Sequence, residues 1–119
     1  MLLFQNKTAD ALLVLDSLLK EFPGHLIIDD VLYREANVYL KLNDVAKADS
    51  LFKIINEKYS FSVIADDALF KRAWLQEKVF KNRDEAMKLY QEVLQNYPAS
   101  TLTVEARKKY RQLRGDVIN

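Results

Sequence analysis

No cysteine occurs among the 119 residues, which excludes disulfides, thiol catalysis and thiolate metal sites. It leaves the compartment open, because exported and cytosolic proteins alike can lack cysteine. Glycine and proline number two each, against 50% apolar residues. Sandwiches and barrels need many tight turns, so this scarcity disfavours them and makes helix the leading class. Gly24 and Gly115 cannot form a Gly-rich phosphate loop, so a nucleotide has no seat and no cofactor is expected. The single histidine, His25, follows Pro23-Gly24 in a turn and has no second His or Cys with which to hold zinc. It would also have to serve a Ser-His-Asp relay alone from a loop, so it reads as a surface residue. Neither charge sign dominates: 18 Lys and Arg face 17 Asp and Glu, for a net +1. That balance carries no footprint for nucleic acid or an anionic membrane. Long apolar runs are missing too. Met1-Leu2-Leu3-Phe4 gives way to Gln5-Asn6-Lys7, too short for a signal-peptide core or a membrane span, so no direct membrane insertion is expected.

What is present is a repeat. Ala11, Leu15, Leu18 and Pro23 stand at offsets 0, 4, 7 and 12; Ala48, Phe52, Ile55 and Ser60 repeat them, and Ala86, Tyr90, Val93 and Pro98 do so again, with steps of 37 and 38 residues. Offsets 0, 4 and 7 share one helix face, small first and large afterwards. The small residue permits close helix approach, and offset 12 ends the helix after an aromatic: Phe22, Tyr59 or Tyr97. The other half recurs as well. Asp29 to Ala36 aligns with Asp66 to Ala73 at a shift of 37, and Leu32 and Ala36, like Leu69 and Ala73, form a narrow apolar stripe.

These signals predict about six antiparallel helices in an all-α fold, over residues 7–21, 26–41, 45–58, 63–79, 84–96 and 101–114. Ser62 and Ser100 or Thr101 are expected N-caps, and the paired Asp residues sit at the positive end of a helix dipole. Asn43-Asp44 and Asn82-Arg83-Asp84 are the expected turns, with Asp44 and Asp84 capping the second helices, and Gly115 is the expected stop after Arg114.

Ala86, Tyr90, Val93 and Pro98, with Leu32, Ala36 and Tyr39 in a first helix, resemble the tetratricopeptide repeat family; the second copy keeps Leu69 and Ala73 but has Gln76 where the family has Tyr. The resemblance implies a right-handed α-α superhelix. It divides the single domain, residues 1–119, into an incomplete repeat (1–24), two repeats (25–60 and 61–98) and a C-terminal capping helix with its tail (99–119). The spacing of 37 to 38 exceeds the family's roughly 34, and Tyr97-Pro98-Ala99-Ser100 forms an aromatic-Pro-x-Ser junction. Both features resemble the longer-helix variant of bacterial periplasmic and outer-membrane repeat proteins. That implies a periplasmic or outer-membrane-associated place for a C-terminal part of a larger envelope protein, with the cytoplasm left open by the residues themselves.

The resemblance also implies that first helices line a groove for a protein or peptide partner. Carried onto this chain, the groove residues are Asp30, Tyr33, Asn37, Asp67, Phe70 and Trp74, continued by Glu105 and Lys108. An aromatic floor with acidic edges suits an apolar, basic segment. The competing reading packs Tyr33, Phe70 and Trp74 between helices. The pairs Asp29-Asp30 and Asp66-Asp67 occupy equivalent places at helix N-termini, so a structural role is favoured over a metal or catalytic one. The basic run Arg107-Lys108-Lys109 with Arg111 and Arg114 reads as a solvated helix face. With no constellation of acid, base and nucleophile, the chain is not expected to be an enzyme. An interaction scaffold or adaptor is the leading expectation. The alternative is a homodimer through the first helix, with Leu2, Leu3, Phe4, Leu12 and Leu19 as contact residues.

Overall fold

The computed structural model describes Leu13, Ser17 and residues 28–115. Among them stand five helices and no strand: α1 Ile28–Lys41, α2 Val45–Lys58, α3 Ala65–Lys78, α4 Arg83–Asn96 and α5 Thr103–Arg114. Each begins within two residues of its sequence expectation, as the 3.6-residue periodicity and the scarcity of breakers dictate. The expected first helix, with Ala11, Leu15, Leu18 and Pro23, lies outside the described residues apart from Leu13 and Ser17, both helical. His25 and the apolar start also lie outside them.

Local chemistry sets the ends. Asp29 and Asp30 open α1 and Asp66 and Asp67 open α3, while Lys41 and Lys78 close them, each charge matched to the helix dipole. The side chain of Asp44 accepts from Lys47 N at 3.3 Å and caps α2. For α4 the expected cap, Asp84, is wrong: Asn82 accepts from Glu85 N at 3.2 Å, and the helix starts at Arg83. Asn82 is the counterpart of Asp44, 38 residues on. The turn before it, residues 79–82, is one residue longer than the turn 42–44, and that residue accounts for the step from 37 to 38. In both turns the residue before the cap takes a left-handed backbone, Asn43 at φ 63 and Lys81 at φ 57. Gly115, at φ 95, ends α5 by donating to the carbonyls of Arg111 and Gln112.

Ser62 and Ser100 are a second correction. Neither caps a helix: the position before α5 is Leu102, which has no side-chain cap bond. The serines fold the junctions instead. Ser62 Oγ accepts from Ile64 N and donates to Asp29 at the start of α1, and Ser100 Oγ accepts from Leu102 N and donates to Asp66 at the start of α3. Each bond ties the end of one helix pair to its beginning.

The chain divides into two compact units, Met1–Ile64 and Ala65–Asn119. In the first, α1 and α2 form a helix pair that buries Val31, Leu32 and Ala36 together with Ala48, Leu51, Phe52 and Ile55. In the second, α4 packs against both α3 and α5, and Leu69, Ala73, Ala86, Leu89, Tyr90, Val93 and Ala106 form one cluster. The repeat positions Ala48, Phe52, Ile55, Ala86, Tyr90 and Val93 are all fully buried. Each large side chain among them contributes about 1.5 to 3 kcal/mol.

Candidate protein-binding faces

The six expected groove residues fall into two triplets with the same spacing, one per unit. On α1, Asp30, Tyr33 and Asn37 are partly exposed and share a helix face. Arg34 Nε donates to Asp30 Oδ2 at 2.9 Å, and Asn37 Nδ2 donates to the carbonyl of Tyr33 at 3.1 Å. On α3, Asp67 and Phe70 are partly exposed, and Trp74 is 43% exposed. Lys71 Nζ lies 3.8 Å from Asp67 Oδ2. Glu105 and Lys108 are exposed on α5.

The rings of Tyr33 and Phe70 are both packed and presented. Tyr33 meets Phe52 edge to face, with centroids 5.8 Å apart at 63°, and Phe70 meets Tyr90 in the same way at 5.4 Å and 65°. Each thus rests one part of its ring on the core of its unit and leaves the rest accessible. Such support lowers the entropy lost when the ring is covered by a ligand.

The four helix-opening aspartates are engaged within the chain. Asp29 and Asp66 accept from the junction serines, and Asp30 and Asp67 pair with bases one turn on. No group of three or more His, Cys, Asp or Glu able to hold a metal occurs among the described residues, and no described helix is long and apolar enough to cross a membrane. The basic run is exposed at Arg107, Lys108, Arg111 and Arg114, with the Arg114 guanidinium 5.4 Å from the Tyr110 ring centre.

A part-buried polar pair joins α3 to α4. The hydroxyl of the fully buried Tyr90 donates to Glu77 Oε1 at 2.7 Å, and Lys78 Nζ approaches Glu77 Oε2 at 3.2 Å. Burial pushes the Glu77 carboxyl up, but the Tyr90 and Lys78 bonds and the charges of Lys109 and Lys78 outweigh it and hold the group below its ordinary value. The Tyr90 hydroxyl is pushed strongly up by burial and by its bond to Glu77, and the Tyr97 hydroxyl is raised by burial and by Asp66. The available signal was a paired change between repeats: Phe52 and Leu40 stand where Tyr90 and Glu77 stand later.

The tetratricopeptide repeat model matches residues 30–62 and 67–100, together more than half of the chain. Each match spans most of one helix pair, α1 with α2 and α3 with α4. No curated protein matches the chain. Tetratricopeptide repeats are interaction modules, generally mediating contacts between proteins rather than catalysis. With the paired helices, the small-then-large core register and the model matches in agreement, the chain belongs to the tetratricopeptide repeat family.

Proposed function

We propose that this chain is an interaction scaffold or adaptor module that holds a protein or peptide partner on the groove-side faces of its first helices. The observation that carries this is the repeated triplet of one acidic and two polar or aromatic residues: Asp30, Tyr33 and Asn37 on α1, and Asp67, Phe70 and Trp74 on α3. Trp74 supplies a large, rigid, half-exposed ring, and such rings dominate binding energy where they are covered. Basic and apolar side chains on the partner complement the aspartates and the rings. The test uses a partner recovered from the native cell and then purified. Tyr33→Ala and Trp74→Ala should each weaken its binding by about tenfold or more, and its addition should shift Trp74 emission. Indifference of both variants would place binding elsewhere.

The repeat spacing of 37 to 38 and the Tyr97-Pro98-Ala99-Ser100 junction support a place in a bacterial cell envelope as part of a larger repeat protein. Fractionation of the native cell tests this, with recovery in the cytosolic fraction as the contrary result. The second reading is self-association through the first helix; its contact residues Leu2, Leu3, Phe4, Leu12 and Leu19 all lie outside the described residues, and what supports it is the exposure of their neighbour Leu13. Sedimentation with and without residues 1–6 separates the two, since a dimer lost on truncation belongs to the second reading alone.

A further inference from the structure

Helix α5 stands in the register of a first helix but has a different floor. With Tyr59 aligned on Tyr97 and Ser62 on Ser100, every position of α3 has its counterpart 38 residues on. Ala68 and Leu75 find Ala106 and Leu113, which face α4 and its core. Leu69 and Ala73, buried in the cluster that α3 forms with α4, find Arg107 and Arg111, both exposed. Lys108 and Arg114 flank them, and at 3.6 residues per turn the four cations cover an arc of about 120°. Val104, 72% exposed, lies in the middle of that arc. Arg107, Lys108 and Arg111 take part in no ion pair among the described residues.

We propose that this stripe docks an acidic amphipathic helix of a protein partner, seated on α5 as α4 is seated on α3. Arg107 and Arg111 are one turn apart, so carboxylates at matching i and i+4 positions meet them in register. Guanidinium forks favour that bidentate match. None of the five described helices of a second copy fits the stripe, because none carries two acidic residues three or four apart. Nucleic acid is disfavoured because the one ring of α5, Tyr110, packs towards the α4 core and offers no stacking platform on the stripe. Lys108 also continues the expected first-helix groove, but the anchors Arg107 and Arg111 correspond to the buried Leu69 and Ala73 of α3 and stand outside the first-helix triplets; what is shared with the proposed function is that the partner is a protein.

The test is fluorescence anisotropy of the full chain with a labelled, lactam-stapled helical peptide bearing Glu at i, i+4 and i+7. Binding should weaken by more than about tenfold in Arg107→Glu/Arg111→Glu, with an unchanged melting curve, and a peptide with Lys at the three positions should bind that variant instead. Tyr33→Ala/Trp74→Ala should bind the acidic peptide as wild type does; its loss would move the peptide to the first-helix faces and overturn the proposal. Absence of binding, equal binding of a peptide with the same residues scrambled, or preference for duplex RNA or for vesicles of equimolar phosphatidylglycerol and phosphatidylcholine would also overturn it. Because the first-helix variants are scored with their own partner, failure of either reading leaves the other standing.

Discussion

Ser100 and Asp66 lie 34 residues apart in the chain, yet the serine hydroxyl donates to the carboxylate at 2.6 Å and joins the end of the second helix pair to its start. Ser62 and Asp29 make the same bond in the first pair. A bond to a partly buried charged group contributes about 1.5 to 3 kcal/mol at most, and solvent at Asp66 lowers that. Ser100→Ala should therefore cost about 1 to 2 kcal/mol in chemical denaturation. In a double-mutant cycle with Asp66→Ala, the two losses should add to clearly more than the double variant loses. Simple additivity would show that the bond carries no energy.

Phe52 and Tyr90 occupy the same register position, each fully buried on its second helix. Replacement of either by Ala should cost about 3 to 5 kcal/mol, the range for a large aromatic removed from a core that relaxes incompletely. Melting temperature should fall steeply in both, and near-native curves would mean that these rings are not core. The polar partner gives a finer test. Glu77→Leu alone leaves the buried Tyr90 hydroxyl without its acceptor and Tyr90→Phe alone leaves the part-buried Glu77 Oε1 without its donor, whereas the two together restore the apolar Phe and Leu that the first repeat has at Phe52 and Leu40. The double variant should be more stable than either single one.

The register 0, 4, 7 was legible because it repeats: three copies of a small residue followed by large ones admit one helical face and one partner. The helix ends were legible where a local residue decides them, as at Asp44 and Gly115. Ser62 and Ser100 were misread because a serine before a helix looks the same whether it caps that helix or reaches back to an aspartate more than thirty residues earlier. Tyr33 and Phe70 were hard to assign for a similar reason. A ring at the margin of a helix pair both packs and faces solvent, and periodicity does not divide the two.

Glu77 and Tyr90 also predict how stability follows pH. The Glu77 carboxyl is lowered from 4.5 in the folded chain, so its contribution is present above that value and lost as pH falls through the folded value. Tyr90 and Tyr97 are raised from 10.0, so their contribution is complete below pH 10.0 and lost as pH rises beyond it. Stability measured by urea titration should decline at both ends, with the alkaline decline reduced in Tyr90→Phe/Tyr97→Phe. An unchanged alkaline slope in that variant would assign the loss to other groups.

Lys81 holds a left-handed backbone at φ 57, a region that a long L side chain seldom occupies, whereas its counterpart Asn43 tolerates it well. Lys81→Gly should stabilise the chain by about 0.5 to 1 kcal/mol, and Lys81→Asn by less. Calorimetry should show a higher melting temperature for both.

Whether the first-helix faces hold a protein partner is decided by placing a photo-crosslinking phenylalanine analogue at position 33, 74 or 91 and irradiating the native cell. Tyr33 and Trp74 lie on the first helices, and Gln91 is exposed on α4. Positions 33 and 74 should yield adducts with the same protein, and position 91 should not. Adducts from position 91 alone, or none from positions 33 and 74, would contradict that placement of the partner.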